Sequence, residues 1–197
     1  MSQWSLPEEI QHYEKKIFDL RQLLEISRAL NSTLDYEYLI QAVLDMCLAQ
    51  VQTLSAALLL TPDSEAQEVV LVPGYKGFEL NRPTGDYRLR LDSPLAMWFE
   101  TNTKSLTIAE MDEQIGADDD TRMLREIGAE LIVPLPAKGK VIGIIILGEK
   151  VVGGDYPDDE RAFLVDLASL SGVAVENARL YERATVDMMT GLKNHAY

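Results

Sequence analysis

The sequence predicts an α+β fold, an antiparallel sheet with flanking helices and one long C-terminal helix. Three observations predict it. Both ends carry long stretches with helical apolar spacing, at residues 7–31 and 157–189. The middle alternates short apolar runs with turn-rich connectors. The run Val141-Ile142-Gly143-Ile144-Ile145-Ile146-Leu147 is apolar without a break, as befits a strand buried on both faces at the centre of a sheet.

In chain order, residues 7–31 place Ile10, Tyr13, Ile17, Leu20 and Leu24 at alternating three- and four-residue steps, a helix with one narrow apolar stripe. A second helix is expected over 36–54, with Asp35 accepting the free N–H groups of its first turn. Residues 56–60 and 68–72 read as strands around the turn Thr61-Pro62-Asp63-Ser64. Residues 87–91 alternate Tyr, Arg, Leu, Arg, Leu and predict a half-buried strand. Ser93-Pro94 opens a short helix through Trp98 and Phe99, with Ser as cap and Pro in the first turn. A short strand is expected over 105–108, then a helix over 121–127 ended by Gly128. Residues 130–135 and 141–149 form the strongest strand pair, joined by Pro136-Ala137-Lys138-Gly139-Lys140. Pro157 starts the last helix, and Asp158, Asp159 and Glu160 lie at the positive end of its dipole.

That helix would run well over ~40 Å at 1.5 Å per residue, longer than the domain needs. Leu167, Ala174, Tyr181 and Met188 recur every seven residues, interleaved by Leu170, Asn177 and Ala184, a heptad seam with one polar position. Residues 163–174 are expected to pack on the sheet, and the part beyond Asn177 to pair between molecules. With the first helix's stripe, this predicts a parallel homodimer.

The 197 residues are 47% hydrophobic, enough for one buried core, and carry a net charge of −14. Such a surface disfavours nucleic acid and anionic lipid as partners. Cys47 is the single cysteine, so a disulfide within the chain and a multi-thiolate metal site are excluded, and its apolar helical setting makes it a core residue. Residues 1–9 lack the basic flank of a secretory signal, and the longest apolar run is far short of the roughly 20 residues a membrane helix needs. A cytoplasmic location is expected.

Val141 to Lys150, then Tyr156-Pro157-Asp158-Asp159-Glu160, then Ala174-Val175-Glu176-Asn177-Ala178-Arg179-Leu180-Tyr181 resemble the ending of a GAF domain, and residues 23–34 resemble its entry helix. Asp187-Met188-Met189-Thr190-Gly191-Leu192-Lys193-Asn194 resembles the D-x-L-T-G-L-x-N entry of GGDEF (diguanylate cyclase) domains, with Met189 for the usual Leu and His195 and Ala196 for a basic pair. The implied organisation is an N-terminal dimerisation helix (1–31), a GAF sensory domain (32–176), a coiled-coil signalling helix (177–190) and the start of a GGDEF domain (191–197). The resemblance implies a regulatory domain of a bacterial diguanylate cyclase, controlling cyclic di-GMP synthesis. Catalytic residues, with GTP and Mg, belong to the missing cyclase part, so no catalytic residue and no enzyme activity are expected here.

Within the domain, His12 and His195 fall in the flanking segments, which excludes a haem or iron site in its body, and no metal ligands are expected. Cys47 has no neighbouring histidine to hold a bilin, and one buried thiol cannot reduce methionine sulfoxide. Non-covalent binding remains. The GAF resemblance implies a pocket between one sheet face and a lid, here residues 75–128. Tyr75, Phe78, Trp98 and Met111 would form its apolar walls, with Phe99 and Met123 beside them. Arg88, Arg90, Arg122 or Arg125 would meet a phosphate or carboxylate. Some cyclic-nucleotide-binding GAF domains carry Asn-Lys, then Phe, then Asp-Glu. Glu149-Lys150, Tyr156 and Asp159-Glu160 match this in part, with Glu149 for Asn, Tyr156 for Phe and the last gap one residue short. A Lys150 pair with Asp159 or Glu160 would be structural. The expected ligand is a small molecule such as cAMP or cGMP. Two other readings are a ligand-free GAF dimerisation module and a GAF sensor of a different output domain.

Overall fold

The computed structural model of the chain describes residues 8–190 except residue 64, with the backbone alone for 8, 9, 12 and 186–190. Two helices come first, α1 (Glu8–Leu30) and α2 (Tyr36–Val51). Then follow β1 (Ala56–Leu60), β2 (Glu68–Leu71), a 3-10 turn (Thr84–Asp86) and β3 (Arg88–Arg90). The middle holds α3 (Pro94–Thr101), β4 (Leu106–Thr107), α4 (Ile108–Gln114) and α5 (Asp119–Glu126). A hairpin of β5 (Leu131–Ala137) and β6 (Lys140–Leu147) leads to α6 (Asp158–Thr190). Of the GGDEF-like residues, Asp187 to Thr190 are described by their backbone alone, as the last turn of α6, while Gly191 to Asn194, His195 and the side chain of His12 lie outside what is described.

The strands form one antiparallel sheet in the order β3-β2-β1-β6-β5-β4. β6 is central, as its unbroken apolar run predicts, bonded to β1 from Ala56↔Leu147 to Leu60↔Gly143 and to β5 on its other side. Its alternate residues serve two cores. Ile145 and Leu147 face α1, α2 and α6, with Leu58 and Val133 beside them. Ile144 and Ile146 face α3, α4 and α5, with Leu59 and Ile132 beside them. Every side chain buried this way contributes about 1.5–3 kcal/mol.

Local signals place most ends correctly. Asp35 Oδ1 accepts from Tyr38 N–H at 2.9 Å, and Ser93 Oγ from Ala96 N–H at 3.2 Å. Two expectations are corrected. The β5–β6 connector is not a five-residue loop: the strands run through Pro136 and Lys140 to a two-residue turn in which Lys138 and Gly139 have φ of 51° and 76°. Positive φ at both positions is what such a tight hairpin demands. Pro134 and Pro136 survive inside β5 because β4 pairs only with Leu131 and Ile132, leaving an open edge where a missing N–H costs no ladder bond. The strand expected over 105–108 is likewise shorter: Ile108 already begins α4, an element missed in the sequence.

α6 packs across β5 through Phe163, Leu164, Leu167, Ala168 and Ala174, all 6% exposed or less, so residues 163–174 do lie on the sheet. The packing continues through Ala178 and Arg179. Leu167 and Ala174 therefore belong to the domain's own core, not to an external seam. The solvent-facing stripe runs instead through Val173, Asn177, Leu180 and Ala184, with the same three–four alternation, and Leu170 before it is half-buried against the core. On α1, Leu23 and Leu30 pack inward while Ile10, Tyr13, Ile17, Leu20 and Leu24 are 42–64% exposed.

Candidate functional site

Three short helices make the lid over the sheet face opposite α1, α2 and α6. α3 buries Leu95, Ala96 and Phe99, and α4 buries Met111. α5 buries Thr121, Met123 and Leu124. Reciprocal caps fix the last two. Thr107 and Glu110 close one, the Glu110 carboxylate accepting Thr107 N–H at 2.8 Å. Asp118 and Thr121 close the other. Trp98 meets Phe99 edge to face, with ring centroids 5.4 Å apart. The space between lid and sheet holds Tyr87, Phe99, Met111, Met123 and Leu124, each buried, above Leu59, Ile132, Ile144 and Ile146.

The sequence-derived binding residues fall into separate places. Met111 is fully buried, and Tyr75 and Phe78 are half-buried against the same core, Phe78 lying over Gly148. Trp98 is half-buried and lines an open groove of about 700 Å³ with Asn102, Lys104, Arg161 and Val165. Arg88, Arg90 and Arg122 come together, with Arg82, around a shallow groove of about 420 Å³ on the outer surface beside β3 and α5. Each has a carboxylate partner: Arg88 with Glu68 at 3.1 Å, Arg90 with Asp92 and Arg122 with Asp119 at 2.9 Å. Arg125 pairs elsewhere, with Asp112. The apolar set faces inward and the arginines face outward.

Asp120 shares that outer groove. Burial raises its carboxyl above the usual range, helped by Asp118 and Asp119, against a hydrogen bond from Ser93 and the charge of Arg90. Cys47 is fully buried in α2, and burial pushes its thiol up to about 12, which makes it inert.

At the other end of the lid, Lys150, Tyr156, Asp159 and Glu160 of the partial cyclic-nucleotide motif all make contacts within the chain. Lys150 Nζ donates to Glu160 Oε2 at 2.5 Å, lies 5.6 Å from the Tyr156 ring centre, and is itself buried. Asp159 pairs with Lys15 of α1 instead. Tyr156 donates to the Gly148 carbonyl at 2.6 Å, and burial, partly offset by Thr53, pushes its hydroxyl up to about 12.

The sequence reading missed the junction between lid and last helix. Arg161, in the first turns of α6, donates to both Glu110 carboxylate oxygens at 2.9 and 2.8 Å, to Ser105 Oγ at 3.0 Å and to the Ser105 carbonyl at 2.8 Å. Its partners lie more than fifty residues away, so spacing cannot reveal it. The Thr107-Ile108-Ala109-Glu110 pattern, a capping-box signature, was readable and marks one half. Near the far end of α6, Arg179 donates to the Thr61 carbonyl at 2.7 Å and to Thr61 Oγ1 at 2.8 Å, and pairs with Glu176. Among the described residues no cluster of His, Cys, Asp and Glu could hold a metal, and no helix is long and apolar enough to cross a membrane.

Residues 33–176 match a family model described as the GAF domain. Over 191 residues the chain is 36% identical to Diguanylate cyclase A of Treponema denticola, a match covering 96% of this chain and 51% of that protein. The chain thus spans about half the length of that curated relative. Among solved structures it resembles the GAF domain from a phosphoenolpyruvate-protein phosphotransferase of Coxiella burnetii, with a TM-score of 0.61, 19% identity, and coverage of 84% of this chain and 96% of that one. It also resembles the GAF domain of a putative sensor histidine kinase from Pseudomonas syringae pv. tomato, with a TM-score of 0.58, 17% identity, and coverage of 91% and 99%. At these identities the structures speak for the fold alone.

Proposed function

The chain belongs to the GAF family, and from that premise we propose that it is the regulatory input of a diguanylate cyclase, acting through paired helices. The supporting observation is the 36% identity to Diguanylate cyclase A, which reaches beyond residues 33–176 into the terminal helices and accounts for only 51% of that protein. Cyclic di-GMP synthesis from GTP and Mg²⁺ belongs, in this reading, to a domain entered at Asp187 to Asn194. The test is product formation from GTP by a protein carrying this chain and its downstream sequence. No cyclic di-GMP would overturn the assignment in favour of a different output domain.

The exposed stripes of α1 and α6 are the basis for a homodimer. Burying Ile17, Leu20 and Leu24 with Val173 and Leu180 of a second copy would remove apolar surface from water along two helices that run beside each other. Sedimentation equilibrium at micromolar concentration is expected to give a dimer, and a monomer would rule this out.

A small planar anion, with cAMP and cGMP tried first, is the ligand proposed for the lid. Tyr75, Phe78, Trp98 and Met111 would supply apolar surface, and Arg88, Arg90, Arg122 or Arg125 the charge, which requires that arginine to leave its carboxylate partner and turn in from the outer face. The second reading, a ligand-free dimerisation module, is favoured by the side chains of Phe99, Met111, Met123 and Leu124 filling the lid interior. Calorimetric titration decides: one site per protomer supports the sensor, and no heat with either nucleotide or a metabolite panel supports the module.

A further inference from the structure

Three of the contacts that α6 makes with the rest of the domain, besides its apolar packing on β5, lie on one side of the helix. Arg161 and Arg179 are eighteen residues apart, five turns at 3.6 residues per turn, so both side chains leave the same face. Between them, eleven residues after Arg161, Gly172 lies so close to β5 that a Cβ there would overlap the Pro136 carbonyl oxygen. Arg179 holds the helix to Thr61 at the end of β1, just before α6 leaves the domain. Arg161 holds it to the lid. Grooves of about 700 and 560 Å³ open on either side of the Arg161–Glu110 pair, and Glu110 and Arg161 line both. The lid helix is therefore joined to α6 by a charged fork between two open clefts. Glu110 is also the third residue of α4 and closes its cap, and the next residue, Met111, is fully buried in the lid core. A displacement of α4 must move the carboxylate that Arg161 grips.

We propose that Arg161 is the positioning residue through which the lid sets the lie of α6, the helix rocking on β5 at Gly172. This deepens the regulatory reading above and rests on α6 being the output helix. Its test uses the 197-residue chain alone, so that failure of the coupling can be told from failure of the cyclase assignment.

Met111→Ala loosens the lid, and Arg161→Met removes the fork. Amide hydrogen exchange is followed in α4, in α6 from Ala162 to Leu170, and in β6, whose amides report global opening. In the wild-type background, Met111→Ala is expected to speed exchange in α4 and in that part of α6 by about tenfold more than in β6, the scale of a charged hydrogen-bond pair. With Arg161→Met present, the same lid change should reach α4 and leave α6 where Arg161→Met alone puts it. Glu110→Gln and Phe99→Leu repeat the cycle with milder changes should either first variant fail to fold. Arg161→Lys, which keeps the charge but loses the fork, should transmit weakly. The proposal is overturned if α6 responds equally with and without Arg161, or if α6 and β6 always shift together.

Discussion

Glu110 serves two elements with one carboxylate, and its titration exposes that double duty. Burial, the largest single influence, pushes its pKa up, but hydrogen bonds from Arg161 and Thr107 N–H and the charge of Arg161 outweigh it and leave it below the ordinary 4.5. A carboxyl whose folded pKa is depressed stabilises the fold above the unfolded value and loses that contribution as pH falls through the folded one. The melting temperature of the wild-type chain should therefore exceed that of Glu110→Gln by a constant margin above about pH 5, with the margin closing below about pH 4. Thermal melts of both proteins across that range make the check, and a margin independent of pH would mean that shape, not charge, holds the junction. At this scale the sequence was half legible. Asp35, Ser93 and Cys47 announce their roles because each acts on neighbours or on its own helix. Arg161 and Arg179 do not, since Glu110 and Thr61 lie 51 and 118 residues away. The arginines singled out for ligand charge, Arg88, Arg90, Arg122 and Arg125, are ones that carboxylates already pair with.

Among the elements, α6 gives the sharpest conflict between local and tertiary preference. Gly172 costs a helix interior about 1 kcal/mol relative to Ala. The glycine is nevertheless required where the helix presses on the Pro136 carbonyl, because the obstacle is backbone and cannot turn aside. Gly172→Ala should accordingly destabilise the chain by about 1–3 kcal/mol, the usual cost of overpacking, despite its better propensity. Urea denaturation measures it, and a more stable variant would show that α6 can lift off β5 freely. The same contrast explains which elements could be read in advance. α1, α2 and α6 are long and β1 and β6 carry unbroken apolar runs, and those patterns survive into the structure. β4 has two residues and α4 seven, too few for a period, and their boundary at Thr107 is set by the cap. The seam on α6 shifted for a related reason. Seven-residue spacing fits both the buried Leu167 and Ala174 and the exposed stripe through Val173 and Leu180, and only the packing against β5 says which one is left over.

On the scale of the whole molecule, the two clamps and the stripe divide α6 into a part packed on the domain and a largely exposed part that Arg183 still ties to the Pro62 carbonyl. Up to Arg179 one face of the helix packs on the domain, and past it Leu180, Tyr181 and Ala184 face solvent. No Gly or Pro interrupts the helix after Gly172, so a rotation imposed at the lid would arrive undamped at its end. If the downstream domains of a dimer must face each other to react, their output depends on helical phase. A ligand can change it only by binding one arrangement more tightly than the other. Inserting four residues after Arg183 turns everything downstream by about 40° relative to the domain, at 3.6 residues per turn. Inserting seven restores the phase of the heptad stripe while adding about 10 Å of length. If the chain is, as proposed, the input of a diguanylate cyclase, the four-residue insertion is expected to abolish or invert regulation of cyclic di-GMP synthesis and the seven-residue insertion to preserve it. Cyclase assays on both insertions, alongside the uninserted protein, separate phase from length: equal regulation in all three would show that the helix does not act as a rigid rod.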